Sequence, residues 1–480
     1  MINKPFVRRS IPWLYLAAWL LWMWWRWNTA PPVSVDIPET IHLGQWVLAH
    51  NRFPNHLHWV WGVPQGKWLA VGWEAGSAVV FAVAYQVGFW GLFVLWAASQ
   101  LLAIKLTQLA IRWAGYAPSL GALVGMALLL SIFQPLVAAM WVIPGVAFLM
   151  YDAAIITTGH SRFKHHLAYG AVLGAWAWLS PSVIIAPILT VVLILFWPSK
   201  IQSRPWALLV LRAAIWPVAA VMTIPHPLSW MSAVLRYVSG RVTPKTPWPS
   251  VTTLLHPNLS WTALPNLIWF SLLVLALLQG ARLRKPHLLW WAILIPLSLL
   301  NWKEAYYTPL SLWALTALIA FMGPIKFQSR ALSLFLPLVP IVFLVLIAIK
   351  DINTPVRMTA SRIFPRYTWY RQMSARFPSG RIWVPLTEGG IFTMATGRST
   401  WLDNRMQIWD AYPTFYARSA ALATGRAPLG PWLDQHHVVA VLWPERPLQA
   451  RQLTLAGWIA VAHGPGSYQL WVPRTEHPHR

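Results

Sequence analysis

Apolar runs fill the first 350 residues of this 480-residue chain so thoroughly that only five carboxylates remain there: Asp36, Glu39, Glu74, Asp152 and Glu304. A carboxylate at the centre of a bilayer costs about 3 kcal/mol, so an acid kept among such runs is a functional hypothesis by default. Three of the five fall between 36 and 74, just after the first apolar run. That segment is where chemistry is sought first.

With 57% hydrophobic and 10% charged residues, and a mean hydropathy of +0.50, the chain is not an ordinary soluble globule. Its 36 Trp fit a molecule with many side chains at headgroup depth, and its 40 Pro are better tolerated in membrane helices than in soluble ones. The formal charge of +25 is dispersed in short clusters between apolar spans. That is the distribution the positive-inside rule produces, and it places no nucleic acid among the partners. Without Cys, disulfides and thiolate sites are excluded.

The apolar pattern predicts spans near 11–27, 89–111, 119–133, 135–152, 167–180, 182–198, 206–224, 263–280, 287–300, 306–322 and 331–349. Lys4, Arg8 and Arg9 precede the first, which lacks a small-residue cleavage site and is expected to remain as a span. With the N-terminus cytoplasmic, eleven spans put every short basic loop inside. These carry Lys105 and Arg112, Arg162 and Lys164, Lys200 and Arg204, Arg282 with Arg284 and Lys285, then Lys326 and Arg330. Stretch 69–87 is apolar enough to cross, but crossing would invert all of those loops, so it is expected to lie at the interface. The predicted fold is therefore a polytopic α-helical membrane domain (1–350) with outer loops at 28–88 and 225–262. A small extracytoplasmic α/β domain follows (351–480), with strands at 381–385, 438–443 and 468–472 and helices at 409–424 and 447–456.

The first outer loop reads Asp36-Ile-Pro-Glu39-Thr-Ile-His42-Leu-Gly44-Gln-Trp46, then Arg52-Phe-Pro54, Pro64-Gln-Gly66-Lys-Trp68 and Trp73-Glu74. This order resembles the first extracytoplasmic loop of bacterial GT-C-type glycosyltransferases of the protein mannosyltransferase and aminoarabinose transferase group. In those proteins an acid follows the first span, then a Gly-x-Trp helix, a Pro, a second Gly-x-Trp and another surface helix. Asp36, Gly44, Trp46, Pro54, Gly66, Trp68 and Trp73 fit that spacing. The tail is similar too, with Asp403-Asn-Arg405 before a helix and a Trp-containing strand near 458. The resemblance implies a plasma-membrane enzyme that moves a sugar from a polyprenyl-phosphate donor to an acceptor on the outer face.

Such a transfer needs a carboxylate to take the acceptor's proton, and cations to meet the charge growing on the departing phosphate. Asp36 matches the family's acid and is the candidate base; its other reading is a cap for a helix over 39–51. Glu39 and Glu74 stand nearby out of register as candidate substitute acids, and the other reading of Glu74 is a solvated acid at a helix end. Family acids or His at two further places are replaced here by Leu57, Val71 and Gly72. An altered donor or an inactive relative acting as a lipid-binding scaffold both account for that departure. For the phosphate and the rest of the substrate the candidates are Lys303 and Tyr306 in an outer turn, Arg236, Arg241 and Lys245 in the 225–262 loop, and His42. The His of this loop are read first as an interfacial polar surface; His56-x-His58 with Glu74 as a divalent-metal set is the minor alternative, since its spacing is unspecific. Asp152 is expected to pair with a nearby base such as Arg162. A transporter is the rival class, with Arg212 as an intramembrane charge, but no internal repeat supports it.

Overall fold

A computed structural model describes residues 36–54, 75–115, 137–160, 162–197, 206–224, 366–385, 388–401, 426–444 and 447–474, with a few isolated positions besides. The chain forms two compact units. One is built on Phe93–Ile224, and the other brings Val33–Leu92 together with Arg357–Arg480.

The first unit is helical. It contains most of α3 (Phe89–Trp113), α4 (Val137–Thr157), α5 (Phe163–Leu179), a 3₁₀ turn (Pro181–Ile185), α6 (Ala186–Phe196), α7 (Trp206–Val210) and α8 (Trp216–Met222). The expected spans 89–111, 135–152, 167–180, 182–198 and 206–224 each fall on one of these helices or on a contiguous group of them. Among the described residues two helices are long and apolar enough to cross a membrane, Phe89–Trp113 and Met140–Thr157. The others are shorter because the sequence interrupts them. Ser180 is extended and its hydroxyl accepts the Ser182 N–H, which stops α5 and starts the 3₁₀ turn at Pro181. The expected spans at 119–133 and between 263 and 349 lie outside the described residues, and of span 11–27 only isolated helical positions are described.

Between α7 and α8 the chain widens into a π turn, Leu211–Ile215, in which the Trp216 N–H reaches back to the Leu211 carbonyl. Pro217 explains the position. It has no N–H for the carbonyl four residues earlier and its ring crowds that group, so the helix gains a residue just upstream. Polar side chains within these apolar helices bond back to their own turns. Thr107 donates to the Ala103 carbonyl at 2.8 Å and Thr157 to Ala153 at 2.7 Å.

The second unit joins α1 (Asp36–His50) and α2 (Ala75–Tyr85) to an α/β fold: α9 (Tyr367–Ala375), β1 (Arg381–Trp383), α10 (Gly389–Thr396), α11 (Leu429–Gln435), β2 (Val438–Pro444), α12 (Pro447–Leu455), β3 (Trp458–Gly464) and β4 (Tyr468–Pro473). The sheet order is β1-β2-β4-β3, with β1 parallel to β2 and the other pairs antiparallel. Strands β1, β2 and β4 fall where the residue pattern predicted them and β3 where the resemblance implied one; α9, α10 and α11 were not foreseen. The expected helix 409–424 lies outside the described residues apart from isolated positions.

Tryptophans fill the core between sheet and helices. Trp383 stacks on Trp443 at 4.1 Å and Trp401 meets Trp432 edge-on at 4.9 Å. Leu43 and Val47 of α1 and Ala78 of α2 belong to the same core. Trp46 packs partly buried against it. Helix α2 ends in a turn at Gly88, and residues 69–74 of the stretch expected at the interface lie outside the described residues.

Candidate functional site

Helix α1 is described over Asp36–His50, so the candidate acid lies on the same helix that the sequence places at 39–51. At the other end His50 bonds the Trp46 carbonyl through Nδ1 at 2.8 Å and stacks on its ring at 4.2 Å. Asn51, at φ 50°, then turns the chain left-handed, which Asn tolerates better than most residues.

Two close approaches hold this helix. Gly44 lies against α2, and a Cβ there would stand 1.8 Å from the Ala78 carbonyl oxygen. Only glycine allows the two backbones to come that near, which gives the Gly of the first Gly-x-Trp its physical reason. One turn after Asp36, Glu39 is 3% exposed and lies across the start of α10. A Cβ on Gly390 would stand 2.1 Å from the Glu39 Cγ. His42 is half-buried on the same helix.

The start of α10 is fixed from its other side by a buried polar box. Glu388, immediately before the helix, accepts a hydrogen bond from the Arg366 guanidinium and from the phenols of Tyr370 and Tyr468, the last two at 3.4 Å each. Arg366 also lies over the Tyr468 ring at 4.4 Å. Burial, with the Glu388 charge beside it, pushes the Tyr370 phenol well above its ordinary range. Arg398 closes the far end of α10. It donates to the Ser374 carbonyl and hydroxyl at 3.3 Å each and to the carbonyls of Phe377 and Gly380, and burial lowers its pKa. These contacts tie both ends of α10 to the rest of the unit.

Of the sequence-derived site residues, the structure brings Glu39 and His42 onto one helix with Asp36. Glu74, Arg236, Arg241, Lys245, Lys303 and Tyr306 lie outside the described residues, as do His56 and His58. Among the described residues no three His, Cys, Asp or Glu side chains group as metal ligands.

One expectation is corrected. Asp152 pairs with Arg212 at 2.8 Å, both side chains at most 5% exposed, and Arg162 is an exposed residue at the cap of α5. The π turn carries Arg212 into the helical interior, where the guanidinium also lies 4.5 Å over the Tyr169 ring. Tyr169 in turn bonds Thr190 at 2.8 Å and the Arg212 carbonyl at 3.0 Å. Sequence reasoning singled out both charges and missed their pairing, because 60 residues and three helices separate them. The Arg366–Glu388 box left no signal in the sequence, since its members follow no spacing.

No protein-family model matches the sequence. A search of curated proteins finds no match either. Solved structures do: the archaeal oligosaccharyltransferase AglB from Archaeoglobus fulgidus, in complex with an inhibitory peptide and a dolichol-phosphate, is similar over 98% of this chain and 75% of its own, with TM-score 0.43 and 12% identity. The Archaeoglobus fulgidus oligosaccharyltransferase in complex with Zn and sulfate is similar over 97% and 74%, with TM-score 0.49 and 14% identity.

Proposed function

We propose that this chain is an integral membrane glycosyltransferase that moves a sugar from a polyprenyl-phosphate donor to an acceptor on the outer face of the plasma membrane, with inversion. The observation that carries the reading is that the acid of the first outer loop lies on a helix built into the core of the α/β unit. A general base has to be held within a few tenths of an ångström of its working place, and a helix packed on a sheet does that better than a free loop. The α/β unit stands outside the cytoplasm in this reading, because eleven spans that start inside end outside.

In the reaction the acceptor oxygen or nitrogen attacks the anomeric carbon while Asp36 takes its proton. The bond from that carbon to the phosphate oxygen breaks, and the polyprenyl phosphate leaves with the electron pair. Lys303 and Tyr306, with Arg236, Arg241, Lys245 and His42, are the proposed partners of the phosphate and sugar.

The test is Asp36→Asn in the full-length protein, supplied with polyprenyl-phosphate sugars. Asn keeps the size and the helix-start hydrogen bonding but takes no proton at neutral pH. Loss of general-base assistance lowers turnover by about 10²–10⁴-fold at unchanged thermal stability. Full activity in Asp36→Asn with none in Glu39→Gln or Glu74→Gln moves the base to one of those acids. A wild-type protein that consumes no donor lipid returns the chain to the inactive, lipid-binding alternative.

A further inference from the structure

We propose that Glu39 is a positioning residue, whose side-chain stem seated on Gly390 sets the place of Asp36; its consequence for turnover rests on the reading above. Three features carry this. Glu39 is 3% exposed and lies one turn, about 4.5 Å along the axis, after Asp36 on the same helix. A Cβ at Gly390 would come within 2.1 Å of its Cγ, 2.9 Å of its Cδ and 2.9 Å of its Oε1, so the Glu39 stem occupies the space of any side chain at 390. Gly390 has an ordinary helical backbone, and what requires glycine there is room rather than a left-handed φ.

The two partners differ in what can give way. The first turn of α10 is buried throughout and anchored by Glu388 to Arg366, Tyr370 and Tyr468. Helix α1 touches α2 at Gly44 and α10 at Glu39. These two close approaches, five residues apart, together with Leu43 and Val47 in the core, fix the rotation of α1 about its axis. A Cγ cannot leave a clash by swinging its far end, since its position follows from χ1, and helix backbones allow few χ1 values. Restoring van der Waals separation at about 3.5 Å therefore displaces α1 by roughly 1.4 Å. A displacement of about 1 Å at a catalytic group costs about 10²-fold in rate.

The experiment compares wild type, Gly390→Ala and Gly390→Ala/Glu39→Ala as full-length protein in lipid nanodiscs, with two readouts. Hydrogen exchange of the amides in 37–43 reports the seating of α1 whatever the activity; donor-lipid turnover reports its consequence. Gly390→Ala is expected to speed exchange in 37–43 at least tenfold and to lower kcat about 10²-fold with KM nearly unchanged. Removing Cγ in the double variant is expected to bring both back to within about tenfold of wild type. An unchanged exchange pattern in Gly390→Ala overturns the clamp. So does a double variant whose exchange recovers while its turnover stays at the Gly390→Ala level, because Glu39 then acts chemically rather than by position. Wild-type protein without turnover refutes the glycosyltransferase reading alone, and the exchange readout still decides whether Glu39 seats the helix.

Discussion

Removing the Arg212 side chain, as in Arg212→Met, is the sharpest test of how the helical unit is held together. The guanidinium and the Asp152 carboxylate stand 2.8 Å apart with side-chain exposures of 0% and 5%. At an effective dielectric of about 20, two unit charges at that separation attract by roughly 6 kcal/mol. Most of this offsets the cost of taking both ions out of water, so the intact pair adds little net stability. Breaking it is another matter. Arg212→Met leaves Asp152 in the helical interior without its counter-charge, at a cost of about 3–5 kcal/mol. Asp152→Asn strands Arg212 in the same way, although the Tyr169 ring 4.5 Å below the guanidinium retains part of its stabilisation. At roughly 2–4 °C per kcal/mol, each single variant is expected to lower the thermal midpoint by about 6–20 °C, read by tryptophan fluorescence in nanodiscs. Asp152→Asn/Arg212→Met removes both charges and is expected to recover most of the loss. Midpoints for all three variants within about 1 °C of wild type, or a double variant as damaged as the sum of the singles, refute the reasoning.

Two further outcomes follow from the α/β unit. Gly44→Ala places a methyl 1.8 Å from the Ala78 carbonyl oxygen, and because that atom is backbone, α1 and α2 must separate, at a cost of about 1–3 kcal/mol; an unchanged thermal midpoint contradicts this. Tyr370 has its pKa raised by burial and by the neighbouring Glu388 charge, so the folded state favours the neutral phenol. Its contribution is complete below the ordinary phenol value near 10 and is lost as pH rises from there toward the folded value. The midpoint of wild type should therefore fall above about pH 10 as tyrosinate absorption appears, and Tyr370→Phe should flatten that fall.

Much of the secondary structure was legible before any coordinates. Apolar runs of helical length, broken at Ser180-Pro181, placed α3 to α6, and one uninterrupted run at 206–224 covered α7, the π turn and α8 without showing the division between them. Short β-branched and tryptophan-bearing runs placed β1, β2 and β4, while β3 was expected only from the resemblance. Each of those signals is local, written in neighbours within one or two turns. The acid at 36, the Gly-x-Trp at 44–46 and the helix they share were legible for the same reason. Partnership between distant segments was not. That Asp152 meets Arg212 depended on a π turn that rotates one helix by a residue, and the nearest base along the chain, Arg162, was the wrong choice. That Gly44 serves a backbone contact with Ala78, and Gly390 a place for the Glu39 stem, is a matter of ångströms between helices. The sequence by itself determined which segments are helices and strands and which acids survive among apolar residues, because periodicity and charge cost act within a segment. Which acid meets which base, and which glycine makes room for which side chain, was decided only by tertiary packing, where segments far apart in the chain compete for the same few ångströms.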